Sequence, residues 1–446
     1  MKISLITFIF FFTSIFLHAQ IITIQDINFK NKLLQADSNN AIAVNLNGDF
    51  FRIDSNQDGQ FQLTELLEVS YLDVQNSNIS DLSGINFFSN LEHLSCYNNL
   101  LTVLDVSNLT SLKTLHCGKN SISLLDLTSN VNLLSLDCYI NNLTSLNVSN
   151  ATSLNYLNCI KNKLTNLNIN SNSHLQILLC DENKLTNLDV SQNSELIAIS
   201  CSINLISNID TTNNPNLSYL NCVYNPIPSI DVSQNLNLNT LNFGGNNLIT
   251  EIDVSNNLFL EEFVIVGTAI TSLDLTNNLL LNRIGVMSTV LSTLDLNPFV
   301  NLFYLLVESN QNLESLFIKN NSNEIIYLFE NPNLNFICAD NFQLTDVISI
   351  SNNGAVVTDD CSLTNNEINF KNKFTLTPNP TTSKFIIESG NLFERIEIID
   401  LFGKVIESKD VFANQFEYDL SNYSRGVYFV KIYYENKFVL KKVVKY

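Results

Sequence analysis

The chain of 446 residues has no tryptophan, two methionines, 12 glycines, 7 prolines and four histidines. Scarce glycine argues against phosphate-cradling loops, which need residues without a Cβ close to the ligand. Cations are scarce as well: 23 Lys and Arg stand against 43 Asp and Glu, for a formal net charge of −20. Residues 370–446 hold 12 of those cations and 9 of the acids, which leaves 11 against 34 for residues 1–369. So thin a basic complement excludes nucleic acid as a partner, because phosphate neutralisation needs clustered Lys and Arg. Neither HExxH nor GxSxG occurs. His116 adjoins Cys117, but neighbours on a strand point to opposite faces and cannot work as a nucleophile–base pair. The chain reads as a binding or structural protein, not an enzyme. Long apolar runs are missing beyond the start. Lys2, the apolar run Ile3 to Leu17 and the small Ala19 read as a secretory signal over residues 1–19. That run is too short to span a bilayer comfortably, so the expected product is exported and not transmembrane.

What the chain does have is a period. Cys96, Cys117, Cys138, Cys159, Cys180, Cys201 and Cys222 recur every 21 residues. On that frame LEHLSCYNNLLTVLDVSNLTS (91–111) is followed by LKTLHCGKNSISLLDLTSNVN (112–132) and onward, with an extra residue near Thr250, to about Leu344. An imperfect turn precedes Leu91, which makes about a dozen turns of a coil whose repeats bury their apolar edges against one another. Each repeat has two halves, LxxLxCxxNx and LxxLDVSxNxx. In each, two apolar residues flank a variable one, the alternation of a short strand. The fold class is therefore mainly β, a solenoid with two short strands per turn. The cysteine position is filled by Val74 before the ladder and by Phe243, Ile265, Val286 and Val307 after it. Apolar burial, not sulfur chemistry, is the shared requirement.

The first half resembles the leucine-rich repeat, LxxLxLxxN, with Cys for the third Leu, over roughly residues 69–344. In that family the Asn turns the chain inward and bonds the backbone of adjacent turns. The matching residues are Asn99, Asn120, Asn141, Asn162, Asn183, Asn204, Asn225 and Asn246. A second row, Asp105, Asp126, Asn147, Asn168, Asp189, Asp210, Asp231, Asp253, Asp274 and Asp295, occupies the outward position of the second half. Because Asp alternates with Asn there, bonding to the next turn's backbone is favoured over cation recruitment. Outward on the first-half strands the chemistry varies: Tyr97, His116, Asp137, Tyr139, Tyr156, Asp181 and Tyr219 form the candidate ligand-binding face. Rings with polar tips suit a protein or glycan ligand.

Residues 54–65, DSNQDGQFQLTE, fit D-x-[DN]-x-[DN]-G-x5-E and so resemble an EF-hand loop. The resemblance implies a structural Ca²⁺ held by Asp54, Asn56, Asp58, the Gln60 carbonyl, Gln62 and Glu65, within an N-terminal cap over 20–68. Cys338 and Cys361, outside the ladder in an exported chain, are expected to form a disulfide closing a C-terminal cap over 345–361. A linker over 362–373 follows.

Residues 374–446 change character to longer strand-like segments broken by Pro, Gly and Asn, expected as a β-sandwich of about seven strands. Pro378-Asn379-Pro380, Asp400-Leu-Phe-Gly403, Asp419-Leu420-Ser421, Arg425-Gly426-Val427-Tyr428 and Lys441-Lys442-Val443-Val444-Lys445 occur in order. They resemble the type A C-terminal sorting domain of the Bacteroidetes type IX secretion system. That resemblance implies the secretion machinery as partner of the tail, and a product released or held at the outer cell surface. Two functions fit: an adhesin-like protein recognising a protein or glycan, or a surface or matrix scaffold without a specific ligand.

Overall fold

The computed structural model describes residues 20–351, 354–362, 374–401, 404–434 and 437–446. The signal segment 1–19, the linker beyond Ser362 and Gly403 of the tail motif lie outside the described residues. The contacts divide the chain into two units, the first holding residues up to Ser292 with 298–313 and 322–332, the second holding 293–297, 314–321 and 333–446.

The first unit is built on a 14-stranded sheet. It opens with Ala43–Asn45, antiparallel to Val69–Asp73. Every later strand adds in parallel, one per turn, from His93–Ser95 to Ile325–Phe329. Equivalent residues pair without slippage: Leu94, Leu115, Leu136, Leu157, Leu178, Ile199 and Leu220 lie in one register. These residues are buried, as are the seven cysteines that each follow directly on a strand. Burying each Leu contributes about 1.5–3 kcal/mol, and stacking equivalent residues repeats that gain at every turn.

The chain then turns inward through a left-handed residue, φ 52° at Asn98, 49° at Lys119, 51° at Ile140 and 53° at Ile203. A β-branched residue disfavours that conformation, so the turn is imposed by its surroundings. The next residue imposes it. In Asn162, for example, Oδ1 accepts the Leu143 N–H at 3.0 Å while Nδ2 donates to the carbonyls of Cys138, Cys159 and Ile160 at 3.1, 3.1 and 3.4 Å. Asn120, Asn141, Asn183, Asn204 and Asn225 repeat this pattern. Asn99 does so with the N–H groups of Ser77 and Ile79.

Asn246 departs from the expected ladder: its amide donates to the carbonyls of Asn225 and Ile227, and its Oδ1 accepts Leu248 N–H. The cause is local. The strand Thr240–Gly244 runs on to Gly244, and Gly244 and Gly245 sit at φ 104° and 94°, which moves the left-handed residue to Asn247 at φ 57°, after the asparagine instead of before it. The ladder resumes at Asn310 and Asn331, whose amides donate to Val286 and Val307 carbonyls at 2.9 Å.

The second halves form fewer strand pairs than expected in this unit. Leu104 pairs with Leu125, and Asn147 with Asn168, only as isolated bridges. The Asp or Asn of each second half accepts the N–H two residues on, as Asp105 does from Ser107 at 3.0 Å and Asp231 from Ser233 at 2.9 Å. This Asx turn starts the bend immediately and leaves no room for a longer ladder.

In the second unit, Thr293–Asp295, Ser315–Ile318, Phe336–Ala339 and Val356–Thr358 form a four-stranded parallel sheet. Cys338 and Cys361 are joined as a disulfide. The C-terminal part is folded around its own core of aromatic and aliphatic residues, among them Phe385, Phe393, Ile398, Tyr418 and Val430. Among the described residues it has five strands in one connected sheet rather than about seven, because Lys384–Ile399 and Val405–Asp419 run through register shifts as single long strands.

Candidate functional site

The outward face of the 14-stranded sheet carries the candidate residues, but not as one cluster. Tyr97 and Tyr139, two turns apart, lean together over the turn between them, with ring centroids 5.8 Å apart and planes 27° from parallel. Gly118 makes this possible: a Cβ there would stand 2.6 Å from the Tyr139 ring. The Lys119 ammonium lies 5.3 Å from the Tyr97 centroid. That cation and the Tyr139 hydroxyl hold the Tyr97 phenol below its ordinary pKa, while burial and the Tyr97 contact push Tyr139 up. His116 and Asp137 are register partners on adjacent strands beside these rings. Burial raises the Asp137 carboxyl against the hydrogen bond it accepts from Tyr139 N–H.

Tyr156 is half-buried on the next strand, and Tyr219 lies three strands further on, so it stands apart. Asp181 does not face a ligand. It is buried, and its Oδ1 accepts Ser200 Oγ at 2.6 Å and Ser202 N–H at 2.9 Å. A second aromatic group was not read from the sequence: Tyr304 and Tyr327 at 5.5 Å, Tyr327 and Phe329 at 5.9 Å, with Arg283 5.3 Å from the Tyr304 centroid. The frame that places Val307 inward also places Tyr304 outward, so the signal was present in the alternation of these later strands.

The EF-hand-like loop closes on itself. Asp54 accepts the N–H groups of Asp58 and Gly59 at 3.1 and 3.0 Å, and Asp58 accepts Gln60 N–H at 2.8 Å. The Asn56 and Gln62 amides both donate to the other Asp58 oxygen, at 3.1 and 3.0 Å. Glu65 turns the other way: it accepts Ser55 N–H and Oγ and the Gln62 N–H that opens the short helix Leu63–Leu66. The donor set is all oxygen, as Ca²⁺ prefers. Among the described residues, however, no three His, Cys, Asp or Glu side chains stand together as a metal-holding group. The chemistry fits Ca²⁺, while Glu65 is engaged as a helix cap. The tie between helix and first repeat lies elsewhere: Asp26 caps Ile27–Leu34 and accepts Ser80 N–H and Oγ at 2.8 Å.

A second asparagine row, the fixed Asn of the half-repeat LxxLDVSxNxx for which the sequence suggested no role, runs through Asn130, Asn172, Asn193, Asn214, Asn235, Asn257 and Asn278, all buried. Each amide donates to the preceding turn, as Asn214 does to Val190 and Asn193 carbonyls at 3.1 and 2.8 Å. Six of the seven leave Oδ1 without a donor among the described residues. Asn235 is the exception, because Thr211 Oγ1 donates to it at 2.8 Å. Thr211→Val therefore lowers stability by about 1 kcal/mol. Val190→Thr, which supplies Asn214 with the same donor, does not lower it. Urea midpoints check both.

The Asp row titrates as caps. Hydrogen bonds from the following Ser or Thr hold Asp189, Asp210, Asp231, Asp253 and Asp274 below the ordinary carboxyl range, against slight desolvation and, at Asp210, Asp231 and Asp253, weaker repulsion from neighbouring row members. A depressed folded-state pKa contributes stability above the unfolded value, about 4, and that contribution is lost as pH falls through the folded value. The melting temperature consequently drops on acidification, and changing all five to Asn reduces the drop. An undiminished drop in the quintuple variant contradicts the assignment.

Residues 375–446 match the family described as the secretion system C-terminal sorting domain. The search of curated proteins gives no match. Among solved structures, the functional domain of InlJ from Listeria monocytogenes, which includes a cysteine ladder, is 24% identical. It aligns over 93% of this chain and 97% of that one, with a TM-score of 0.54. An internalin, InlF, from the same organism is 21% identical over 76% and 96% of the two chains, with a TM-score of 0.58. A Leptospira interrogans leucine-rich repeat protein is 19% identical over 66% and 85%, TM-score 0.54. These likenesses establish the fold. The chain is a leucine-rich repeat solenoid. It carries a type IX secretion sorting domain, which directs it to the cell surface or the medium, and no described helix is long and apolar enough to cross a membrane.

Proposed function

We propose that this protein is an adhesin-like binding protein of the cell exterior, recognising its ligand on the outward face of the 14-stranded sheet. One observation carries the reading. The inward positions repeat Leu, Leu and Cys turn after turn, whereas the outward ones change from Tyr and His to Asp, Ile and Ser. A scaffold needs only the repeated inward set; a recognition surface needs the variation. The conclusion that it is not an enzyme belongs to the same reading. The test is to screen the purified full chain against protein and glycan panels. Saturable binding weakened by Tyr139→Ala and Tyr156→Ala supports the proposal. Saturable binding nowhere on either panel overturns it in favour of a surface scaffold.

We further propose that the 54–65 loop takes a structural Ca²⁺. Asp54 and Glu65 are buried carboxylates, and none of the ion pairs among the described residues includes them. A divalent cation would neutralise them. Adding CaCl₂ raises the melting temperature of the EDTA-treated chain, and Asp58→Ala removes the increment. An unchanged melting temperature refutes the site.

A further inference from the structure

We propose that four turn tips bordering the later strands of the 14-stranded sheet bind a second copy of this chain, in an antiparallel two-fold dimer. The tips along this edge are built alike. In each, the N–H of an inward Leu bonds back to the carbonyl three residues earlier, as Leu196 does to Asn193, Leu260 to Asn257 and Leu281 to Asn278, at 3.1 Å each. The two central residues point to solvent, so the fold makes no demand on them and small polar residues are the usual choice.

The middle turns obey that preference, with tips Thr152-Ser153, Ser173-His174 and Ser194-Glu195. Leu236-Asn237, Leu258-Phe259, Leu279-Leu280 and Val300-Asn301 do not. Their six apolar side chains are 45% to 58% exposed. All four tips belong to the first unit and stand on consecutive turns, where Glu261 N–H donates to Asn239, Asn282 to Glu261 and Phe303 to Asn282, at 2.8, 2.9 and 2.7 Å. With the two asparagines they present roughly 700 Å² of accessible surface in one strip, close to the ~800 Å² each partner gives a stable interface. An exposed apolar strip of that size marks an interaction site.

Charge and symmetry select the partner. Residues 232–239, 254–260, 275–282 and 296–307 contain no charged residue, in a chain of net charge −20. A foreign protein is steered and discriminated through charge, and this strip offers none to read. Two acidic copies meet there with the least repulsion. The order of the tips is also palindromic: apolar-Asn at both ends, two apolar residues at each tip between. A two-fold axis between the Phe259 and Leu280 turns therefore lays the apolar centre on itself and sets Asn237 against Asn301 of the second copy. An amide has two N–H donors and an acceptor, so Asn237, which donates to the Pro215 carbonyl at 3.1 Å, can still pair with the facing asparagine. Phe259 falls at the centre, where interface energy concentrates. The tips lie beside the sheet and not on its outward face, so the dimer stands or falls apart from the ligand screen.

The experiment is sedimentation velocity of the purified full chain from about 1 to 100 µM. The expected result is a concentration-dependent dimer that tightens as NaCl is raised, because salt screens the repulsion between acidic copies. Phe259→Asp/Leu280→Asp weakens association about a hundredfold or more. Val103→Asp/Leu124→Asp, which adds the same charge at exposed positions away from the strip, changes it far less. Circular dichroism separates lost association from lost fold, and Phe259→Ser/Leu280→Ser replaces the aspartate variant if that one unfolds. Under mild oxidation, a mixture of Asn237→Cys and Asn301→Cys chains cross-links, whereas neither variant does so alone. The proposal is overturned if the chain stays monomeric at the highest concentration, if association survives in the folded double variant, or if each cysteine variant cross-links only with itself. A monomer that binds phosphatidylcholine vesicles through these tips also overturns it and makes the strip a lipid contact.

Discussion

Asn162→Ala is expected to lower stability by about 2–3 kcal/mol, above the usual effect of a polar substitution. The side chain joins two turns: it accepts from Leu143 and donates to Cys138, Cys159 and Ile160. Alanine leaves the buried Leu143 N–H without its acceptor, at about 1–3 kcal/mol, and takes one of two donors from carbonyls that keep the other: Cys138 from Asn141, Cys159 from Asn183 and Ile160 from the Ile140 N–H. The inward turn, with Lys161 at φ 55°, is then held only by backbone bonds to the adjacent turns, such as Lys161 N–H to the Asp181 carbonyl at 2.8 Å. Aspartate at 162 keeps an acceptor and loses both donors, so it is expected to be nearly as damaging. Asn246→Ala, outside the regular pattern, is expected to cost about half as much. Urea unfolding followed by far-ultraviolet circular dichroism ranks the three. Equal effects at 162 and 246 would show that the ladder geometry is not what stabilises the turns.

Lys445→Met is expected to have the second large effect, confined to the sorting domain. The Lys445 ammonium is buried and donates to the carbonyls of Leu420, Ser421 and Tyr423 at 2.6, 3.1 and 2.6 Å. It thereby caps the turn in which Asp419 accepts Ser421 N–H at 2.7 Å. One strand residue away, Val444 N–H donates to Asn379 at 2.9 Å, and Asn379 donates to the Lys442 carbonyl at 2.7 Å. The motifs quoted from both ends and the middle of the tail are therefore one assembly. Methionine matches the stem but removes three charge-assisted bonds, at a cost of about 3 kcal/mol after relaxation. The expected result is a less stable tail together with reduced export. Export lost from a tail that keeps its melting temperature would instead make Lys445 a contact of the secretion machinery.

The coil was legible because its inward residues are chemically uniform. Leu94, Leu115 and Leu136 with their cysteines could be stacked on paper, and the asparagine three residues after each cysteine followed. The second asparagine row was visible as the fixed Asn of LxxLDVSxNxx, but its role was not. In Ser- and Asn-rich stretches the repeat alone does not tell that this Asn is fully buried and bonded to the preceding turn while Asn108 or Asn150, one frame position earlier, is exposed. Asn310 and Asn331 were missed as ladder members because Thr268 and Thr289 take the row's place between them and Asn246, so the asparagine pattern, unlike the apolar one, is interrupted after Asn246. In the candidate face, the alternation identified outward positions but not partners. Tyr97 and Tyr139 meet only because Gly118 lacks a side chain, and Asp181 is withdrawn by two serines a turn away. Contacts of that kind depend on side-chain direction across turns, which a period does not encode.

The account depends above all on the thiols lying inside the coil. Burial pushes Cys96, Cys159 and Cys222 up to about 12 and the remaining four well above their ordinary value. Titration of the unreduced protein with a thiol-specific chromogenic disulfide at pH 8 tests this directly. Almost no reaction in buffer and seven equivalents in denaturant are predicted, with Cys338 and Cys361 silent in both. Rapid reaction of several thiols in the native protein would contradict the inward ladder.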